Sequence, residues 1–167
     1  WQAAHEKLAE HQAKEPARKQ GYFIIVEGYL DAIACHQYGA RNAVATLGTA
    51  LTEGHLRLMR RFAQKLMLIF DPDPAGIKAT LRGFELFAGS GMKVNVVSLP
   101  DGDDPDTFLK KQGYEAFAAC LKGSQKFMDF VLAQVVRDGA SASIDEKVER
   151  EAEMLRFIAR LPSGIER

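Results

Sequence analysis

Two aspartates, Asp71 and Asp73, stand one residue apart behind five consecutive apolar residues, Leu66, Met67, Leu68, Ile69 and Phe70. Such a run predicts a strand buried on both faces. Its acids then emerge at the carboxyl end, where open α/β sheets bind ligands. Like charges held that close cost free energy unless a cation lies between them. Their oxygens are the hard donors that Mg²⁺ or Mn²⁺ prefers. Glu27 closes an earlier apolar run, Tyr22 to Val26, and Asp31 follows it by about one helical turn. Asp101, Asp103, Asp104 and Asp106 follow a segment of alternating pattern, Lys93 to Ser98, that also reads as a strand. All these acids lie beyond carboxyl ends of strands in what should be one sheet, so they are expected to converge. The set suits two hard cations about 4 Å apart, the arrangement that serves in-line phosphoryl transfer.

Other residues have weaker patterns. His55, Arg57, Arg60, Arg61 and Lys65 form a local basic patch that suits nucleotide or template phosphates, or a solvated helix face. Lys78, just past the aspartate pair, suits a phosphate or the acids themselves. His5, His11 and His36 have no partner pattern. Cys35 and Cys120 fall in helical patterns and are expected to be reduced and structural, since two cysteines alone do not make a zinc site. No GxxxxGK[ST] stretch is present, which argues against a P-loop nucleotide site.

The elements that must position these residues alternate. Strands are expected at Tyr22 to Val26, Asn42 to Ala45, Leu66 to Phe70 and Lys93 to Ser98. Helices are expected at Leu30 to Tyr38, from the Thr52 cap through Phe62, and at Gly76 to Phe87. This order demands a parallel sheet with helices on its faces. Before it, residues 1–20 read as a helix ended by Pro16 and a connector. After it come an acidic loop, Leu99 to Asp106, and short helices at Thr107 to Lys111 and Tyr114 to Leu121. Longer helices follow at Lys126 to Arg137 and Ile144 to Arg160.

At 167 residues the chain suits one ordinary domain and a small appendage. Lys and Arg number 22, as do Asp and Glu, so any nucleic-acid function must rest on local charge. No apolar run approaches the roughly 20 residues that span a bilayer, and no signal segment opens the chain. The expectation is a cytoplasmic protein. Because it opens at Trp1, a piece of a longer protein is expected.

Four segments taken together resemble the bacterial DNA primases and their TOPRIM catalytic module. They are Glu27-Gly28-Tyr29-Leu30-Asp31, Ala45 through Thr52, Phe70-Asp71-Pro72-Asp73-Pro74-Ala75-Gly76, and Leu99-Pro100-Asp101-Gly102-Asp103-Asp104-Pro105-Asp106. The glutamate and Asp-x-Asp pair are shared with topoisomerases and some nucleases, whereas the other segments are more specific to primases. The resemblance implies an α/β fold, a TOPRIM-type parallel sheet flanked by helices, followed by an all-helical C-terminal segment. The divisions would be 1–20, 21–123 and 124–167.

It also implies a nucleotidyltransferase that makes RNA primers on a single-stranded DNA template from ribonucleoside triphosphates. Glu27, Asp71 and Asp73 would be catalytic. Glu27, Asp31, Asp71, Asp73, Asp104 and Asp106 would surround Mg²⁺ or Mn²⁺. Pro72 stands where the family commonly has glycine, which removes a backbone N–H but leaves the two aspartates in place. Zinc would belong to another domain of such proteins, as would contact with the replicative helicase. A monomer at the bacterial replication fork is expected, with little priming activity from this chain alone. The alternatives are another TOPRIM enzyme that cleaves strands, or a non-catalytic DNA-binding TOPRIM module. A receiver domain fits the paired aspartates poorly.

Overall fold

The computed structural model describes residues 12–46, 51–69, 86–87, 90–130 and 133. A helix, α1, covers residues 12–20. Then come β1 (Tyr22–Val26), α2 (Tyr29–Gln37), β2 (Ala43–Ala45), α3 (Glu53–Arg60), β3 (Lys65–Leu68) and β4 (Lys93–Val96). A short 3₁₀ turn at Pro100–Gly102 leads into α4 (Pro105–Lys122) and β5 (Gln125–Lys126). The five strands form one sheet in the order β2-β1-β3-β4-β5. All neighbours are parallel except β5, which runs antiparallel to β4.

The apolar runs explain the layers. Side chains alternate across a strand, so a continuous apolar run needs cover on both faces. Phe23, Ile25, Leu66, Leu68 and Val96 lie in one core with Ala13 and Ala17 of α1 and Leu56 and Met59 of α3. Ile24, Val26, Met67, Ile69 and Val97 lie in the other, with Ala32 and Cys35 of α2 and Phe108 and Phe117 of α4. Asn42 is the only polar residue among the described ones that is fully buried. Its Nδ2 donates to the Tyr22 carbonyl at 3.0 Å, and its backbone carbonyl accepts from Ile24 N, which ties the start of β2 to β1.

Pro16 does not end α1. The helix continues to residue 20 because Ala13 and Ala17, one turn apart, are fully buried, and Lys14 and Arg18 lie over the Phe62 ring. Packing outweighs the backbone bond that proline forfeits. Gly21 then ends the helix at φ 82°. Thr52 caps α3 as expected, its hydroxyl accepting from His55 N at 3.3 Å. The acidic loop is shorter than its sequence suggests, because Pro105 and Asp106 already belong to α4. That helix is continuous to Lys122 except at Gly113, where φ 76° and ψ 179° separate the two short helices expected there.

The region after residue 123 opens with a strand rather than a helix. Val96 pairs with Gln125, and Asn95 Nδ2 donates to Ser124 Oγ at 3.0 Å. Helical backbone resumes at residue 127, and Phe127 packs edge-on against Phe87 at 5.7 Å. Residues 124–130 thus extend the main sheet and its core, which corrects the all-helical reading there. The expected helix at Ile144 to Arg160, most of that at Gly76 to Phe87, and the segment before residue 12 lie outside the described residues.

Two outcomes follow from this packing. The Gly113 conformation is open to glycine almost alone, and a Cβ there would meet nothing within 4 Å. Gly113→Ala should therefore lower unfolding free energy by about 1–3 kcal/mol from backbone strain, measured by urea titration. Burial pushes the Cys35 thiol up to about 12, with the Asp31 charge adding to it. At pH 8 a thiol reagent should label half-exposed Cys120 first and reach Cys35 only on unfolding. The unfolded Cys35 ionises near 9.0 while the folded one keeps its proton. Its contribution to stability therefore falls as pH rises from that value towards 12.

Candidate active site

The parallel register brings the strand ends level. Val26 faces Ala45, Ile25 faces Leu68, and Leu68 faces Val96. Beyond the strands the ladder continues, with Ile69 N donating to Ile25 O at 2.9 Å and Val97 N to Leu68 O at 2.8 Å. From β1 the chain winds towards β2, and from β3 it winds the other way towards β4. The winding reverses between β1 and β3, so a crevice opens at their carboxyl ends.

Glu27 leaves β1 at this crevice. It is half-buried, and its Oε1 is fully buried. Gly28 then caps α2 without a side chain, and Asp31 in the first turn reaches back so that its Oδ2 accepts from Gly28 N at 3.0 Å. An acid there also suits the positive end of the helix dipole. A Cβ on residue 28 would stand 2.6 Å from Asp31 Oδ2, so a side chain there would push the carboxylate aside.

The second set of acids arrives on α4. Asp104 is its N-cap, Oδ1 accepting from Thr107 N at 2.6 Å, with Pro105 in the first turn. Asp106 N donates to Asp31 Oδ1 at 3.3 Å. That bond spans 75 positions of sequence and joins the two acidic segments directly. Asp106 also accepts from Lys110 Nζ at 2.6 Å, and Asp103 from Lys111 Nζ at 2.8 Å. The Asp106 hydrogen bond raises the Lys110 pKa, keeping the ammonium charged.

The structure therefore brings Glu27, Asp31, Asp104 and Asp106 to one edge. Asp71, Asp73 and Lys78 lie outside the described residues, as do positions 47–50 of the turn after β2 and the Asp101 side chain. Among the described residues no group of three His, Cys, Asp or Glu side chains is arranged to hold a metal ion.

Arg60 and Arg61 are not brought to these acids. They end α3 near the start of β4, and Arg60 Nη1 donates to Ser90 O at 3.3 Å. Arg57 is exposed and stands 3.8 Å from Glu53. The sequence did not single out Gly28, Lys110 or Lys111. The four-residue spacing from Asp106 to Lys110 was a usable signal. Nothing in the sequence marks the Asp103–Lys111 pair.

Residues 24–109 match a family model described as Toprim-like. A DNA primase of Clostridium acetobutylicum is 46% identical over 107 residues, which are 64% of this chain and 18% of that protein. The crystal structure of a DNA primase domain from Pseudomonas aeruginosa has a TM-score of 0.76 at 32% identity, covering 92% of this chain and 49% of that one. A DnaG primase catalytic domain solved with bound single-stranded DNA has a TM-score of 0.72 at 30% identity, again covering 92% and 49%. The chain thus spans under a fifth of the first relative and about half of these solved chains. No described helix is long and apolar enough to cross a membrane.

The contact at Gly28 yields a direct check. Gly28→Ala should displace the Asp31 carboxylate and lower stability by about 1–3 kcal/mol, the cost of leaving a partly buried amide unpaired. Thermal unfolding would read it; an unchanged midpoint would contradict the crowding described.

Proposed function

The chain belongs to the Toprim-like family, in its bacterial DNA primase form, and we propose that it carries the carboxylate half of a nucleotidyl-transfer site for RNA primer synthesis. The observation that carries this reading is the hydrogen bond from Asp106 N to Asp31 Oδ1, which joins the acidic start of α4 to the helix that follows Glu27 at the carboxyl end of β1. The donors are hard carboxylate oxygens, one of them a buried Glu27 oxygen, and they fit Mg²⁺ or Mn²⁺. Asp71 and Asp73 would hold the ions, with Asp104 and Asp106 as further acids of the rim. When bound, such ions lower the pKa of an attacking hydroxyl and offset charge developing on phosphate oxygens.

The residues of the chain do the rest. Glu27 accepts the proton of the primer 3′-hydroxyl as that oxygen bonds to the α-phosphorus of the incoming ribonucleotide. The bond to the pyrophosphate oxygen breaks in line, and pyrophosphate leaves. Lys110 and Lys111 hold Asp106 and Asp103 in place, which limits their mutual repulsion while the site is empty of substrate. Lys78 is proposed as a phosphate contact. Arg57, Arg60 and Arg61, being on α3, are proposed to touch a nucleic-acid backbone away from the acids.

The template is proposed to be single-stranded DNA, supported by the solved relative with that ligand. Substrate binding and helicase contact are proposed to need further parts of a primase, in keeping with how little of its relatives this chain spans. The setting proposed is the cytoplasmic replication fork.

Calorimetric titration of Mn²⁺ should show saturable binding that disappears in the Asp71→Ala/Asp73→Ala double variant. Glu27→Gln, placed in a primase polypeptide containing this segment, should slow primer extension by about 10²-fold or more, the usual contribution of a general base. The chain alone should prime weakly. Absence of saturable binding in the wild type, or vigorous priming by the chain alone, would sink this reading.

A further inference from the structure

We propose that Asp31 is a positioning residue: its carboxylate ties α4 to the Gly28 turn and so sets the spacing of Glu27 from Asp104 and Asp106. The proposal rests on the nucleotidyl-transfer reading and assigns Asp31 a role other than that of a metal ligand.

Each Asp31 oxygen has its own backbone donor. Oδ2 accepts from Gly28 N at 3.0 Å and Oδ1 from Asp106 N at 3.3 Å. Both amides lie at helix N-termini, where N–H groups have no partner within their own helix. One side chain therefore satisfies a donor on each of two helices and fixes its own orientation. The two helices are also packed on each other through Ala32, Ala34, Cys35, Phe108 and Phe117. That apolar contact holds the helices together but is less directional than a hydrogen bond. The two hydrogen bonds supply the direction.

The surroundings are built for this geometry. Residue 28 has no Cβ, and one placed there would meet Asp31 Oδ2 at 2.6 Å. Gly28 adjoins Glu27, and Asp106 lies two positions past the Asp104 cap of α4. The Asp31 carboxylate thus stands one residue from the general base on one side and touches the second acidic segment on the other. Its negative charge is felt below, where it adds to the burial that raises the Cys35 thiol.

Asp31→Asn preserves the shape but replaces one acceptor with an NH₂ donor, so one of the two amides must lose its partner. Three measurements on the same variant distinguish the possibilities. Hydrogen exchange on the metal-free protein should show the Gly28 or Asp106 amide exchanging at least about 10-fold faster, with the sheet amides unchanged. Mn²⁺ titration followed by the electron paramagnetic resonance of the free ion should show the wild-type number of ions, bound several-fold more weakly. Circular dichroism should show a folded protein, which keeps the other two readouts interpretable.

Loss of one bound ion with amide protection intact would overturn the proposal and make Asp31 a ligand. Lost amide protection with Mn²⁺ affinity unchanged would also overturn it, leaving a role in stability alone. An unfolded Asp31→Asn variant would be replaced by Asp31→Ser, for which the same outcomes apply. If the wild type binds no Mn²⁺, the catalytic reading fails first and the positioning role goes with it.

Discussion

The structure depends on β1 and β3 being buried on both faces. Phe23, Ile25, Leu66 and Leu68 point into one core, and Ile24, Val26, Met67 and Ile69 into the other. Strands of that kind cannot lie at the surface, so helices must cover both sides. Crossovers between parallel strands are right-handed. A chain that first moves from β1 to β2 with α2 on one face must put its later crossovers on the other to reach β3 and β4. The reversal that results leaves the carboxyl ends of β1 and β3 uncovered. The crevice is a by-product of satisfying two apolar faces, and the acids occupy it.

Acids gathered there repel, and the fold answers that repulsion locally. Asp31 and Asp104 are turned onto helix-terminal amides. Asp103 and Asp106 meet Lys111 and Lys110. These lysines are more than half exposed, so the pairs add little to stability. Their value is in holding carboxylates in one orientation without neutralising the edge. The two helix N-termini contribute in the same sense, since their exposed N–H groups favour negative charge. Preorganisation of this kind lets a site receive cations and phosphates without first rearranging its own charges.

Among the described residues, several charges fall at opposite edges of the sheet. The acids lie at the carboxyl ends of the strands, whereas Lys65 and Lys93 open β3 and β4 side by side at the other end. Arg60 and Arg61 stand at that same amino end.

The sequence by itself determined β1, β3 and the helices α2 and α3, because two-sided burial writes unbroken apolar runs into β1 and β3 and helical spacing into the segments beside them. It also determined the positions of Glu27, Asp31, Asp104 and Asp106 relative to strand ends, because that is a local matter of which residue follows the run. Cap signals at Thr52 were equally local. Tertiary structure alone decided the rest. Pro16 is tolerated because Ala13 and Ala17 are buried elsewhere. β5 is two residues long and exists only because β4 offers an edge, so no periodicity announced it. Asp31 finds Asp106 across a separation of 75 positions, set by how α2 and α4 dock rather than by spacing along the chain. A carboxylate's type is legible in one letter, but its partner depends on which helix the apolar cores bring beside it.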